Sequence, residues 1–92
     1  MQIYRGKGKL YDSNRNFAGN VTYEIFDKSI NESGADWQGE ITPHNGIMPV
    51  GNYIIELEDG RSGPCIIRVK TTSSFELVVD SYDIEGTGRL TF

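Results

Sequence analysis

The 92-residue chain is poor in the residues that usually betray a function. It holds one cysteine, Cys65, and one histidine, His44. A single thiol excludes an intrachain disulfide, and one thiol with one imidazole falls short of a structural zinc set. So little cysteine suits a reducing compartment. No apolar run approaches the ~20 residues of a membrane-spanning helix. The opening residues are polar and basic, without the apolar stretch of a secretory signal, so a cytoplasmic protein is expected. Basic residues are also in deficit: nine Lys and Arg face thirteen Asp and Glu, for a net charge of −4. A field of that sign repels phosphate backbones and acidic lipid surfaces, which counts against nucleic-acid and membrane partners. The triplets Asn20-Val21-Thr22 and Asn31-Glu32-Ser33 fit the glycosylation pattern but, without an export signal, carry no weight.

What remains is a folded composition, 37% apolar and 24% charged, in a length that suits one domain over residues 1–92. Its dominant period is two. Val21, Tyr23 and Ile25 alternate with Thr22, Glu24 and Phe26, and Trp37, Gly39 and Ile41 with Gln38, Glu40 and Thr42. Tyr53, Ile55 and Leu57, then Cys65, Ile67 and Val69, then Phe75, Leu77 and Val79, alternate likewise with their neighbours. Each set predicts a strand with one buried face. Turn-forming residues divide the runs: Asp12-Ser13-Asn14-Arg15-Asn16, Asn31-Glu32-Ser33-Gly34, Pro43-His44-Asn45-Gly46, Asp59-Gly60-Arg61-Ser62-Gly63-Pro64 and Thr71-Thr72-Ser73-Ser74. No stretch carries the three-to-four spacing of a stable helix.

One pattern occurs twice. Tyr4-Arg5-Gly6-Lys7-Gly8-Lys9-Leu10 and Ile84-Glu85-Gly86-Thr87-Gly88-Arg89-Leu90 both read apolar, any, Gly, any, Gly, basic, Leu. In a strand the apolar residue, both glycines and the leucine share a face that is bare at its middle. Such a face lets a strand coil, or lets a large ring lie flat on the backbone. Trp37, Tyr23, Tyr53 and Phe75 are available to fill it. The expected fold is therefore all-β: a small antiparallel barrel, or a barrel-like sandwich, of about six to seven strands. The two terminal Gly-x-Gly strands are expected to lie side by side and close it.

Gly6-Lys7-Gly8-Lys9-Leu10, Gly19, Tyr23, Trp37-Gln38-Gly39, Gly51-Asn52-Tyr53, Leu57-Glu58-Asp59-Gly60-Arg61 and Gly86-Thr87-Gly88-Arg89-Leu90 together give the chain its build. In that build it resembles a group of short bacterial proteins of unknown function with a small β-barrel-like domain. The resemblance implies a bacterial, cytoplasmic, stand-alone domain. It brings no catalytic residues.

Several residues invite a functional reading beside a structural one. Arg5, Lys7 and Lys9 share the outward face of the first strand, and Arg89 joins them if the terminal strands are neighbours. That stripe would suit an acidic partner, or single-stranded nucleic acid with Tyr4 or Tyr11 as stacking platforms. Lysines guarding an exposed strand edge explain it equally. Asp59 and Arg61 read as an exposed contact loop, although turn chemistry alone accounts for them. His44 would need a nucleophile and an orienting acid, and Cys65 falls on the core face, where a thiol is inert. Asp80-Ser81-Tyr82-Asp83-Ile84-Glu85 offers carboxylates but lacks the glycine and spacing of a calcium-binding loop. Trp37 reads as core.

No catalytic residue, metal ligand or cofactor site is assigned. The favoured reading is a non-enzymatic protein-interaction module, monomeric or homodimeric, with Arg5, Lys7, Lys9, Arg89, Asp59 and Arg61 as candidate contacts. The alternatives are a nucleic-acid binder working through the basic strand face, and a small enzyme or ligand-binding barrel working through loop carboxylates or His44.

Overall fold

Alternating apolar and polar residues become six strands in the computed structural model, which describes residues 1–28, 36–44, 49–69 and 81–92. They are β1 (Gln2–Asp12), β2 (Phe17–Asp27), β3 (Trp37–Pro43), β4 (Gly51–Glu56), β5 (Ser62–Val69) and β6 (Tyr82–Gly86). The expected strand at 75–79, the turns at 31–34 and 71–74, and the acidic Glu76 and Asp80 lie outside the described residues. Among the described residues there is no helix, so none is long and apolar enough to cross a membrane.

The strands form a closed antiparallel barrel in the order β1-β2-β3-β6-β5-β4. Three consecutive strands are followed by a fourth that returns beside the first, the Greek-key arrangement. Along each strand the inward residues are the expected ones. Leu10, Val21, Tyr23, Ile25, Trp37, Ile41, Tyr53, Ile55, Leu57, Cys65, Ile67, Tyr82 and Ile84 make one core. Val69, expected inside, is 50% exposed although its β6 partner Tyr82 is buried.

Two expectations need correction. The terminal Gly-x-Gly segments are not neighbours: β1 and β6 stand on opposite sides of the ring, and closure is by β1 against β4. Each glycine pair instead seats an aromatic from the next strand. Tyr23 of β2 lies opposite Gly6 and over Gly8, and the Trp37 indole of β3 fills the place where a Gly86 side chain would stand. The bare faces thus recruit rings, one on each side of the barrel, and do not draw the two termini together. The turn after β4 is also shorter than expected. Leu57 N–H donates to Arg61 O at 2.7 Å, and Ser62-Gly63-Pro64 already pairs with β4. Pro64 is tolerated inside β5 because its backbone faces away from β4, where its carbonyl accepts from Thr87 N–H, and the ladder with β6 begins only at Cys65, so its missing N–H costs no ladder bond.

The turn between β1 and β2 has the chemistry its residues predict. Asp12 Oδ1 accepts from the amides of Asn14 and Asn16, each at 2.9 Å, while Arg15 takes a left-handed φ of 66°.

Candidate functional site

At one end of the barrel β1 outruns β4. β1 pairs with β2 from Gln2 to Tyr11, but with β4 only from Lys9 to Asp12. The seam so left is partly filled by the turn 57–61. Lys7 N–H donates to Glu58 Oε1 at 2.8 Å, and Glu58 N–H donates to the Tyr23 hydroxyl at 3.1 Å. Burial raises the Tyr23 phenol above its usual value, partly offset by the amide bond from Glu58, while the nearby carboxylates of Glu58 and Asp59 add to the rise.

Arg61 crosses the mouth. Its guanidinium lies 5.0 Å from the ring centres of both Tyr4 and Phe92, and Nη1 donates to the Tyr4 hydroxyl. Nε stands 3.3 Å from Asp59 Oδ2, an ion pair without hydrogen-bond alignment. The last residues reach this point because Thr91 pairs with Ser62. Of the expected contact loop, Asp59 stays exposed beside Arg61, and Arg61 is brought onto Tyr4 of the first strand.

The basic stripe assembles in part: Arg5, Lys7 and Lys9 share the outer face of β1, and Arg89 does not join them. Arg5 is committed to Glu24, Nε to Oε2 at 2.7 Å. Lys7 and Lys9 are exposed on the outer face of β1, with Lys9 opposite Glu56 of β4. Arg89 lies on the C-terminal segment beside Gly63 of β5, with β4 and β5 between it and β1. Each candidate stacking ring already has a neighbour. Tyr4 holds Arg61, and Tyr11 meets Phe17 edge to face at 6.0 Å.

Nor do His44 and Cys65 come together. His44 is exposed, with Nε2 2.8 Å from Thr22 Oγ1. Cys65 is buried and its thiol donates to Tyr53 O at 3.5 Å, with burial pushing its pKa up to about 12. A thiol so protonated is no nucleophile at neutral pH. Among the described residues no group of three His, Cys, Asp or Glu side chains is placed to hold a metal ion.

The arrangement that the sequence concealed is a row of charge around the outside. Register sets Arg5 opposite Glu24, Glu24 opposite Glu40, Glu40 opposite Asp83, and Asp83 opposite Arg68. Three carboxylates thus stand abreast on β2, β3 and β6, between two arginines. Arg68 turns aside to Glu85, Nη1 to Oε2 at 2.6 Å, and away from the Asp83 it faces. Like charges directly opposed across a sheet cost stability. Over β6 this row borders an open groove of about 390 Å³ with Phe26 and Ile66 on its flanks and Glu40, Asp83, Glu85 and the Glu85-bonded Arg68 along it. Outward alternation marks Glu24, Glu40 and Asp83 one by one; only the inter-strand register aligns them.

Compared with family models, curated proteins and solved structures, the chain matches none.

Proposed function

We propose that the protein is a non-enzymatic interaction module that holds an extended, basic segment of a partner protein in the groove over β6. The observation that carries this reading is the row Glu24, Glu40 and Asp83 beside that groove. A sheet that sets three carboxylates abreast gives up stability, and local rules of that kind are broken chiefly where function repays them. An extended segment with alternating Lys or Arg would place its cations along the row and its stems against Phe26 and Ile66. Complementary charge would also steer the encounter on a chain of net charge −4.

The buried thiol of Cys65 suits a reducing compartment, and with the resemblance in build it supports a cytoplasmic protein of bacterial origin. Lys7 and Lys9 are the only part of the expected basic stripe left for an acidic ligand. The acidic net charge gives nucleic-acid binding no support.

The test is a fluorescence-anisotropy titration with a labelled, extended decapeptide alternating Lys and Val, beside its Glu and Gln counterparts. The Lys peptide is expected to bind best and to weaken with salt. The double variant Glu40→Gln, Asp83→Asn should weaken it by on the order of tenfold while still unfolding in one cooperative transition. Equal binding of all three peptides, or of wild type and double variant, would overturn the reading.

A further inference from the structure

The seam between β1 and β4 leaves a stretch of strand edge whose donors and acceptors have a fixed direction. Lys7 N–H points at Glu58, away from β2. Strand alternation then turns the amides and carbonyls of Ile3 and Arg5 the same way. Among the described residues no strand pairs with that side of β1 before Lys9. The side chains of the same odd residues stand on the outer face, where Ile3 is 46% and Met1 76% exposed. Ile3 lies opposite the half-buried Phe26 of β2. An unpaired edge beside exposed apolar side chains is the surface to which a further strand adds.

We infer that this edge pairs with the same edge of a second copy of the chain, antiparallel and centred on Ile3, to form a two-fold dimer. Three features choose this occupant and this register. A strand lying against itself is self-complementary in its hydrogen bonds when an edge-facing residue sits on the axis, and Ile3 is such a residue. Centring on Ile3 joins Phe26 and Ile3 of one copy to Ile3 and Phe26 of the other, a single apolar row across both barrels. It sets each Arg5 opposite the other copy's Met1, so the two guanidinium groups are kept apart and each stays with its own Glu24. Centring on Arg5 would oppose like charges and drive the partner strand into Glu58. The contact is short, so the dimer is expected to form with a dissociation constant on the order of tens of micromolar or weaker. The contact shares one residue, Phe26, with the groove over β6 and leaves the row of Glu24, Glu40 and Asp83 outside it.

Sedimentation-velocity runs from ~10 μM to ~1 mM, with hydrogen exchange at the same concentrations, would test it. Wild type should shift from monomer to dimer. The amides of Ile3 and Arg5 should gain protection with concentration, whereas Lys7, already bonded to Glu58, should not change. Ile3→Pro removes an amide that is bonded to no described residue, so it should fold, melt near wild type and stay monomeric. Ile3→Lys keeps the amide but opposes two cations at the axis, and should weaken dimerisation by on the order of tenfold or more. A wild type that is monomeric throughout, or a dimer that survives both substitutions, would overturn the inference. So would a concentration-dependent dimer whose Ile3 and Arg5 amides stay unprotected.

Discussion

The two Gly-x-Gly segments are nearly the same in sequence and are put to different uses. Around Gly86 and Gly88 the covering ring is Trp37, which is 1% exposed and fixed by donating its Nε1–H to Gly88 O at 2.7 Å. Around Gly6 and Gly8 the ring is Tyr23, whose hydroxyl runs on to meet the turn 57–61. The first is a rigid seat inside the core. The second is a junction between the barrel and the turn that fills its seam. A bare strand face accepts either ring. Whether the ring ends in an indole N–H that bonds its own seat, or in a hydroxyl that reaches past it, decides what the place becomes.

Removing the rings should separate the two most clearly. Trp37→Ala is expected to cost about 3–5 kcal/mol, since it empties the largest buried side chain in the core. That is a large share of the ~5–15 kcal/mol that holds a domain of this kind together. Urea unfolding followed by far-ultraviolet circular dichroism reads it directly, and a loss under ~1 kcal/mol would refute the idea of a rigid seat.

Filling the glycines should show the same contrast at a smaller scale. Alanine at Gly86 would drive its methyl into the Trp37 indole, with an expected cost of about 1–3 kcal/mol. Alanine at Gly6 would meet the Glu58 carboxyl at 2.8 Å and the Tyr23 hydroxyl at 3.0 Å, both at the far ends of side chains. The Glu58 side chain can swing away, so Gly6→Ala should cost under about 1 kcal/mol, with more local opening at Lys7 than loss of global stability. Equal costs at the two glycines would erase the distinction.

Much of this was legible beforehand, and what was not legible has a physical reason. The strands follow from period two, a small barrel or barrel-like sandwich from the number of strands and the bare faces, and Tyr23 and Trp37 stood among four aromatics available to fill those faces. The partner of β1 was misjudged because the glycine echo is symmetric: it shows that two strands need covering and is silent on what covers them. The row of Glu24, Glu40 and Asp83 was out of reach for a different reason. Alternation fixes which face a residue takes, but the register between strands distant in sequence comes from the whole barrel closing. The place of Arg61 between Tyr4 and Phe92 likewise depends on the path of the last residues along β5.

Removing only the hydroxyl of the junction isolates what it adds. Tyr23→Phe keeps the ring over Gly8 and leaves the Glu58 amide without its acceptor, at an expected cost of about 1 kcal/mol. Exchange at the Lys7 amide should quicken, since Glu58 is then less firmly placed. The core around Trp37 should not notice.

Alkali should reach the hydroxyl of the junction and the buried Cys65 thiol, but not the indole of the seat. Trp37 does not titrate, whereas burial raises the Tyr23 phenol above 10.0, with the carboxylates of Glu58 and Asp59 adding to the rise. Tyr53 is raised in the same way, and Cys65 moves from 9.0 to about 12. A raised acid group releases its proton more readily from the unfolded chain than from the folded one, so rising pH pulls toward unfolding. Stability should therefore hold up to about pH 9, where the unfolded thiol begins to ionise, and fall between there and pH 12. Cys65→Ala removes the thiol from this balance, and the remaining decline should begin nearer 10, the usual phenol value. Adding Tyr23→Phe should flatten that decline further, and Tyr53 should account for what is left. Chemical denaturation at stepped pH measures each slope. If the Cys65→Ala, Tyr23→Phe chain loses stability as steeply as Cys65→Ala alone, the Tyr23 hydroxyl is not the titrating tie between barrel and turn.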